Sequence, residues 1–171
     1  MVDFKQKEKY DINDLLEIMR LLRAPGGCPW DAQQTHMSIR KNLIEETYEV
    51  IEAIDKDDKE LMTEELGDLL MQVVFHAQME QEAGNFDFGD VTDGVCKKLI
   101  ERHPHVFGEV EVSGVGDVLN NWDAIKRRSK GQKKGSEPML SIPRELPALM
   151  RATKITIQIG RAVQQECRDR S

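Results

Sequence analysis

Aromatic residues make up only 5 % of the 171-residue chain, and it contains three cysteines. Cys28, Cys96 and Cys167 are odd in number and lack any CxxC spacing, which excludes a disulfide framework and reads as free thiols in a reducing cytoplasm. No apolar run approaches the length of a bilayer span, and the opening MVDFKQKEKYDIND is too polar for a secretory leader. Positive charge is also short: 24 lysines and arginines face 31 acids, a formal charge of −7. General affinity for nucleic acid or anionic membranes is therefore not expected. A small anionic substrate stays open, provided a metal or a local basic patch handles its charge. Strand-like alternation is missing throughout, so the expected fold class is all-α.

What the chain does have is helical periodicity. Residues 11–22 carry apolar positions at helical spacing, with Asp11 or Asn13 available as N-cap. The two prolines and two glycines of APGGCPWD break that pattern. A second helix is expected from near Ser38 to Asp55, and a third from Lys59 to Ala83, closed by Gly84. The turn DKDD between them is short, so these two helices should pack antiparallel. Further helices are expected over 91–102 and 117–130, separated by an irregular glycine-rich stretch. Residues 1–130 then form one domain, 131–143 a linker, and 144–171 a helical remnant of a second domain or a mobile tail.

The second and third helices carry the chemistry. At about 100° per residue, Leu43, Thr47, Val50, Ile51 and Ile54 share one face of the second helix, and Glu45 and Glu52 point away from it. Glu46 and Glu49 fall on the flank, beside Val50 and Ala53. From Leu66 to Met79 the third helix is apolar nearly all round, as a helix packed on several sides should be. Its exceptions Asp68, Gln72 and His76 continue a single stripe from Glu65. A polar stripe on an enclosed helix needs partners, and no lysine or arginine lies between Glu60 and Gln78 to supply them.

The pairs Glu46/Glu49 and Glu65/Asp68 each set two carboxylates one helical turn apart. Across a short antiparallel turn, all four can converge. Clustered carboxylates repel unless cations are present, and hard oxygen donors select Mg²⁺, Mn²⁺ or Ca²⁺ over zinc. Magnesium completes its shell with water and substrate phosphates, so the cluster points to a phosphate ester or anhydride. Two rival chemistries fail on the residues. A ferritin-like di-iron bundle needs Glu-x-x-His, yet Gln33, Val73, Ile100 and Arg102 stand three before the four histidines. An adjacent His-Asp pair, the mark of another helical phosphohydrolase class, is also absent.

EETYE followed by EELGD resembles the Glu-x-x-Glu…Glu-x-x-Asp signature of the all-α nucleoside triphosphate pyrophosphohydrolases. The longer run LRAPGGCPWDAQQTH, LIEETYEVIEAI, EELGDLLMQVVFHAQ, KLIERHPHVFG and NWDAIKRR resembles the MazG family in particular. The resemblance implies a helical bundle and Mg²⁺-dependent hydrolysis of a nucleoside triphosphate to monophosphate and pyrophosphate, with Mn²⁺ as a substitute. Glu46, Glu49, Glu65 and Asp68 would be the metal ligands and catalytic acids, and water activated by the cation would attack the α-phosphorus. Lys98, Arg102 and Lys126 would meet the phosphates. Asn42 and Trp122 are candidates for nucleotide contact, with Glu45 as a spare acid; Trp30 and His36 are weaker candidates. Cys28 and Cys96 read as small packing residues rather than nucleophiles.

Long MazG proteins resemble a tandem of two such domains. Here PRELPALMRATKI resembles the opening of a second, after which the pattern stops without a second Glu-x-x-Glu. Members of the family resemble dimers in which two chains complete one core, so at least a homodimer is expected. A non-catalytic dimerising or regulatory module that binds nucleotide or metal is the alternative.

Overall fold

The computed structural model describes residues 4–129 and 142–169; the expected linker lies almost wholly outside them. Every regular element among the described residues is helical, and none is a strand. In chain order they are α1 (Ile12–Arg23), α2 (Pro29–Gln33), α3 (His36–Asp55), α4 (Lys59–Glu82), α5 (Phe88–Arg102), α6 (Pro104–Phe107), α7 (Val115–Ser129) and α8 (Ala148–Asp169). Contacts divide the chain into residues 1–96 and 97–171, a division that falls within α5.

Local signals account for the boundaries of the first unit. Asp11 caps α1 through a reciprocal pair with Asp14: Asp11 accepts from the Asn13 and Asp14 amides, and Asp14 accepts from the Asp11 amide. Between α1 and α2 the backbone turns so tightly that a Cβ on Gly27 would lie 2.2 Å from the Leu21 carbonyl oxygen. The stretch read as a break resumes at once as α2, because Pro29 occupies the first helical position, where its missing N–H costs nothing. α3 begins at His36, three residues before the start that an N-cap at Ser38 would give. Thr35, not Ser38, is its N-cap, and Ser38 completes the box by accepting from the Thr35 amide. The turn to α4 places Asp57 at φ 54°, a left-handed conformation in which aspartate is enriched. Asp58 then caps α4 by accepting from the Glu60 and Leu61 amides. Gly84, at φ 76°, ends that helix as expected.

α3 packs mainly on α4, and α1 packs on α4 as well. The core is Met19, Ile39, Val74, Phe75 and Met79, with Leu15, Leu16, Met71 and Phe88 against it. Arg23 is tied into this core: its guanidinium lies over the Phe75 ring and pairs with Glu82 at 2.8 Å.

The inward face of α3 differs from the one expected. Its buried or half-buried positions are Ile39, Asn42, Leu43, Glu46, Glu49, Val50 and Ala53, so the two acids face α4 rather than flank the contact. Ile44, Tyr48, Ile51 and Ile54 are exposed, as are Leu66, Leu70 and Val73 of α4. Within this chain α4 is therefore not enclosed on all sides. Cys96 is exposed and does not pack in the core, contrary to its expected role.

In the second unit, α7 begins at Val115 after a turn in which Asp117 accepts from the Ser113 amide and hydroxyl. α8 covers most of the weakly periodic tail.

Candidate functional site

Glu46 and Glu49 stand one turn apart on α3, and Glu65 and Asp68 one turn apart on α4. The antiparallel return through Asp57 and Asp58 brings them level. One carboxylate oxygen from each of Glu46, Glu49 and Glu65 lies within 4.8 Å of the other two. Asp68 joins electrostatically, since its charge acts on both Glu46 and Glu65. Partial burial, then the charge of Asp68 and the proximity of Glu49, push the Glu46 carboxyl above the usual carboxylate range. Partial burial and the charge of Glu49 do the same to Glu65. Glu46, Glu49 and Glu65 are thus brought together, with the charge of Asp68 acting on Glu46 and Glu65.

Gln72, one turn beyond Asp68, is only 5 % exposed. Its Nε2 donates to Glu46 Oε1 at 3.5 Å, while its Oε1 is buried with no hydrogen-bond partner. A buried carbonyl oxygen beside a carboxylate cluster needs a donor or a cation. The carboxylate oxygens of Glu46, Glu49 and Glu65 form a hard donor set that fits Mg²⁺ or Mn²⁺.

The other candidates are placed less decisively. Asn42 is half-buried on the inward face of α3, one turn before Glu46. Glu45 is exposed and outside the acid cluster, and Glu52 pairs with Lys56 in solvent. Trp30 is 59 % exposed. Lys98 is exposed on α5, and Lys126 lies on α7. The Arg102 guanidinium sits over the Trp122 ring, 5.1 Å from its centre, so the indole's observed neighbour is a cation within its own unit.

Two features escaped assignment from sequence: the Gln72–Glu46 contact, and a histidine pair in which His36 Nδ1 lies 2.7 Å from His76 Nδ1. Their signal was present in the polar stripe Glu65–Asp68–Gln72–His76. What the stripe did not show was a partner 40 residues away.

Residues 34–107 match the MazG nucleotide pyrophosphohydrolase domain. A nucleoside triphosphate pyrophosphohydrolase of Escherichia coli (strain K12) is 50 % identical over 145 residues, 84 % of this chain and 55 % of that protein. The nucleoside triphosphate pyrophosphohydrolase/pyrophosphatase MazG of Thermotoga maritima is 49 % identical over 142 residues, 83 % of this chain and 54 % of that one. This chain therefore spans little more than half the length of these two relatives. A crystal structure of a mazG-related protein from Thermotoga maritima aligns with a TM-score of 0.57 at 29 % identity, covering 68 % of this chain and 99 % of the other.

Proposed function

Because the chain belongs to the MazG family of nucleotide pyrophosphohydrolases, we propose that it hydrolyses nucleoside triphosphates to the monophosphate and pyrophosphate, with Glu46, Glu49, Glu65 and Asp68 holding Mg²⁺. The observation that carries this reading is the convergence of carboxylate oxygens from α3 and α4 within 4.8 Å. A triphosphate carries about four negative charges, against roughly two for a phosphomonoester, and such a cluster would repel it. When bound, the cation would offset that repulsion and supply a Lewis acid at the α-phosphorus. The protein's part is placement. α3 and α4 hold the acids in register, and Gln72 restrains Glu46 by donating to it. On the same reading Asn42, one turn before Glu46, contacts the nucleotide.

The test is product identification on a panel of nucleoside triphosphates with Mg²⁺ and with Mn²⁺. Pyrophosphate is the expected product, and orthophosphate would place the attack elsewhere. Nucleotide binding without any turnover would favour the non-catalytic module instead.

The exposed stripes Ile44–Tyr48–Ile51 and Leu66–Leu70–Val73 support at least a homodimer, since contiguous apolar surface on a helix pair is suited to a second copy. Sedimentation at micromolar concentration is expected to show a dimer. Combining Ile51→Asp with Leu70→Asp should shift it to monomer, and an unchanged mass would remove these stripes from the interface.

A further inference from the structure

The helix pair α3 and α4 is closed at one end by the turn through Asp57 and Asp58. At its open end His36, the first residue of α3, meets the last turns of α4 at His76 and Glu80. The contact between the two rings is a hydrogen bond and not a stack. His36 Nδ1 lies 2.7 Å from His76 Nδ1, the ring planes agree within 5°, and the ring centres are 5.0 Å apart. That spacing is the nitrogen–nitrogen distance plus the two ring radii, so the nitrogens meet head-on in a shared plane. Two bare nitrogens would set lone pair against lone pair, and two N–H groups proton against proton. The contact therefore holds one proton, whichever ring carries it.

The surroundings balance one positive charge on this pair and no more. Glu80 Oε1 lies 2.7 Å from His36 Nε2, and Glu80 Oε2 accepts from Asn85 Nδ2 at 2.7 Å. The Asn85 bond first, then the one from His36, hold the Glu80 carboxyl below the usual range. An ionised Glu80 offsets a single charge on the histidines. A second finds no counterpart, because the other residues lining this space, Leu43, Val73, Ala77, Phe86 and Val91, are uncharged. The N-terminus of α3, which His36 opens, itself disfavours a cation. Burial and the neighbouring His36 accordingly lower the His76 pKa.

We propose that His36 and His76 form a one-proton clasp across the open end of the α3–α4 pair, and that a second proton opens it. With both rings charged, an N–H stands on each side of a contact that has room for one hydrogen. Mild acid then frees the first turns of α3 from α4, while the turn at Asp57 and Asp58 still joins the two helices. The direction of the His76 shift fixes the sign. A histidine whose folded pKa is lowered contributes its full stability above the ordinary value of about 6.5, and loses it as pH falls from there through the lowered value. The contribution of Glu80, also held low, fades only below the ordinary glutamate range. The clasp requires neither metal nor turnover, so its failure would leave the hydrolase reading intact.

The full chain, free of metal, is followed by ¹⁵N NMR of the histidine rings from about pH 8 downward until both rings are charged. A scalar coupling across the hydrogen bond between His36 Nδ1 and His76 Nδ1 is expected at neutral pH, and it should vanish as the second ring takes its proton. The two rings should titrate in separate steps. In His36→Ala the His76 midpoint should rise toward the ordinary value. In His76→Ala, which leaves the His36–Glu80 pair in place, the amides of residues 40–43 should exchange about 3- to 10-fold faster at neutral pH, the value of one hydrogen bond. That difference should disappear once acid has opened the clasp in the unsubstituted chain. His76→Phe keeps a ring without its nitrogens and should behave as His76→Ala does. No coupling at neutral pH, a coupling that survives full protonation, joint titration at the ordinary value, or exchange that neither His76 variant alters would overturn the clasp.

Discussion

Replacing Glu46 by alanine is expected to abolish pyrophosphate release from nucleoside triphosphates, and Asp68→Ala is expected to do the same. Glu46 lies at the centre of the cluster, with Glu49 and Glu65 within 4.8 Å, the charge of Asp68 acting on it, and Gln72 donating to it. On the proposed reading, either substitution takes away one of the carboxylates that would hold the cation against the substrate phosphates. The loss should exceed the roughly 10- to 100-fold typical when only an outer-shell partner of a ligand is removed. Gln72→Ala provides that comparison and should fall within the smaller range. The decisive measurement is kcat/KM for pyrophosphate release at saturating Mg²⁺, with circular dichroism to confirm that α3 and α4 are intact. Full activity in Glu46→Ala would show that the chemistry lies outside this cluster.

Substituting Glu65 by glutamine is expected to stabilise the metal-free protein at neutral pH and to remove its response to Mg²⁺. Glu65 and Glu46 both have folded pKa values raised above the ordinary glutamate value, chiefly by partial burial and then by neighbouring carboxylates. A raised carboxylate binds its proton more tightly in the folded state. Its contribution to stability is therefore complete below the ordinary value and is lost as pH rises through the raised one. At neutral pH the metal-free cluster bears the full penalty. Glu65→Gln relieves it, so the variant's advantage should appear near neutrality and fade as pH falls below the ordinary glutamate range. Glu80 and Glu82 behave oppositely. Asn85 and Arg23, respectively, hold their pKa values down, and the stability they contribute above that range is lost in acid in both proteins.

Mg²⁺ should raise the melting temperature of the unsubstituted chain, because a ligand that binds only the folded state adds about 2.7 kcal/mol at 100 times its Kd. The variant should show little of that shift. Thermal melts across pH, with and without Mg²⁺, check both statements. A wild-type melting temperature indifferent to Mg²⁺ and Mn²⁺ would contradict a metal role for these acids.

Much of this was legible along the chain because it depends on near neighbours. The spacing of Glu46 to Glu49 and of Glu65 to Asp68 follows from the helical period alone. The residues of DKDD impose the turn that sets one pair against the other, and Gly84 stops α4 because a side chain resists positive φ. Sequence by itself thus determined a helical protein with four acids at the level of one helix pair.

The tertiary structure decided which faces look inward. Periodicity shows which residues share a face of α3, but only packing chooses among faces. The Ile39–Glu46–Ala53 face turned toward α4, while Ile44, Tyr48 and Ile51 stayed outside. The same packing made a chain of hydrogen bonds from His36, His76 and Glu80. Local preference places each of these residues on its helix, but their meeting depends on how the two helices rotate and slide against each other, which is settled by burial summed over the whole contact.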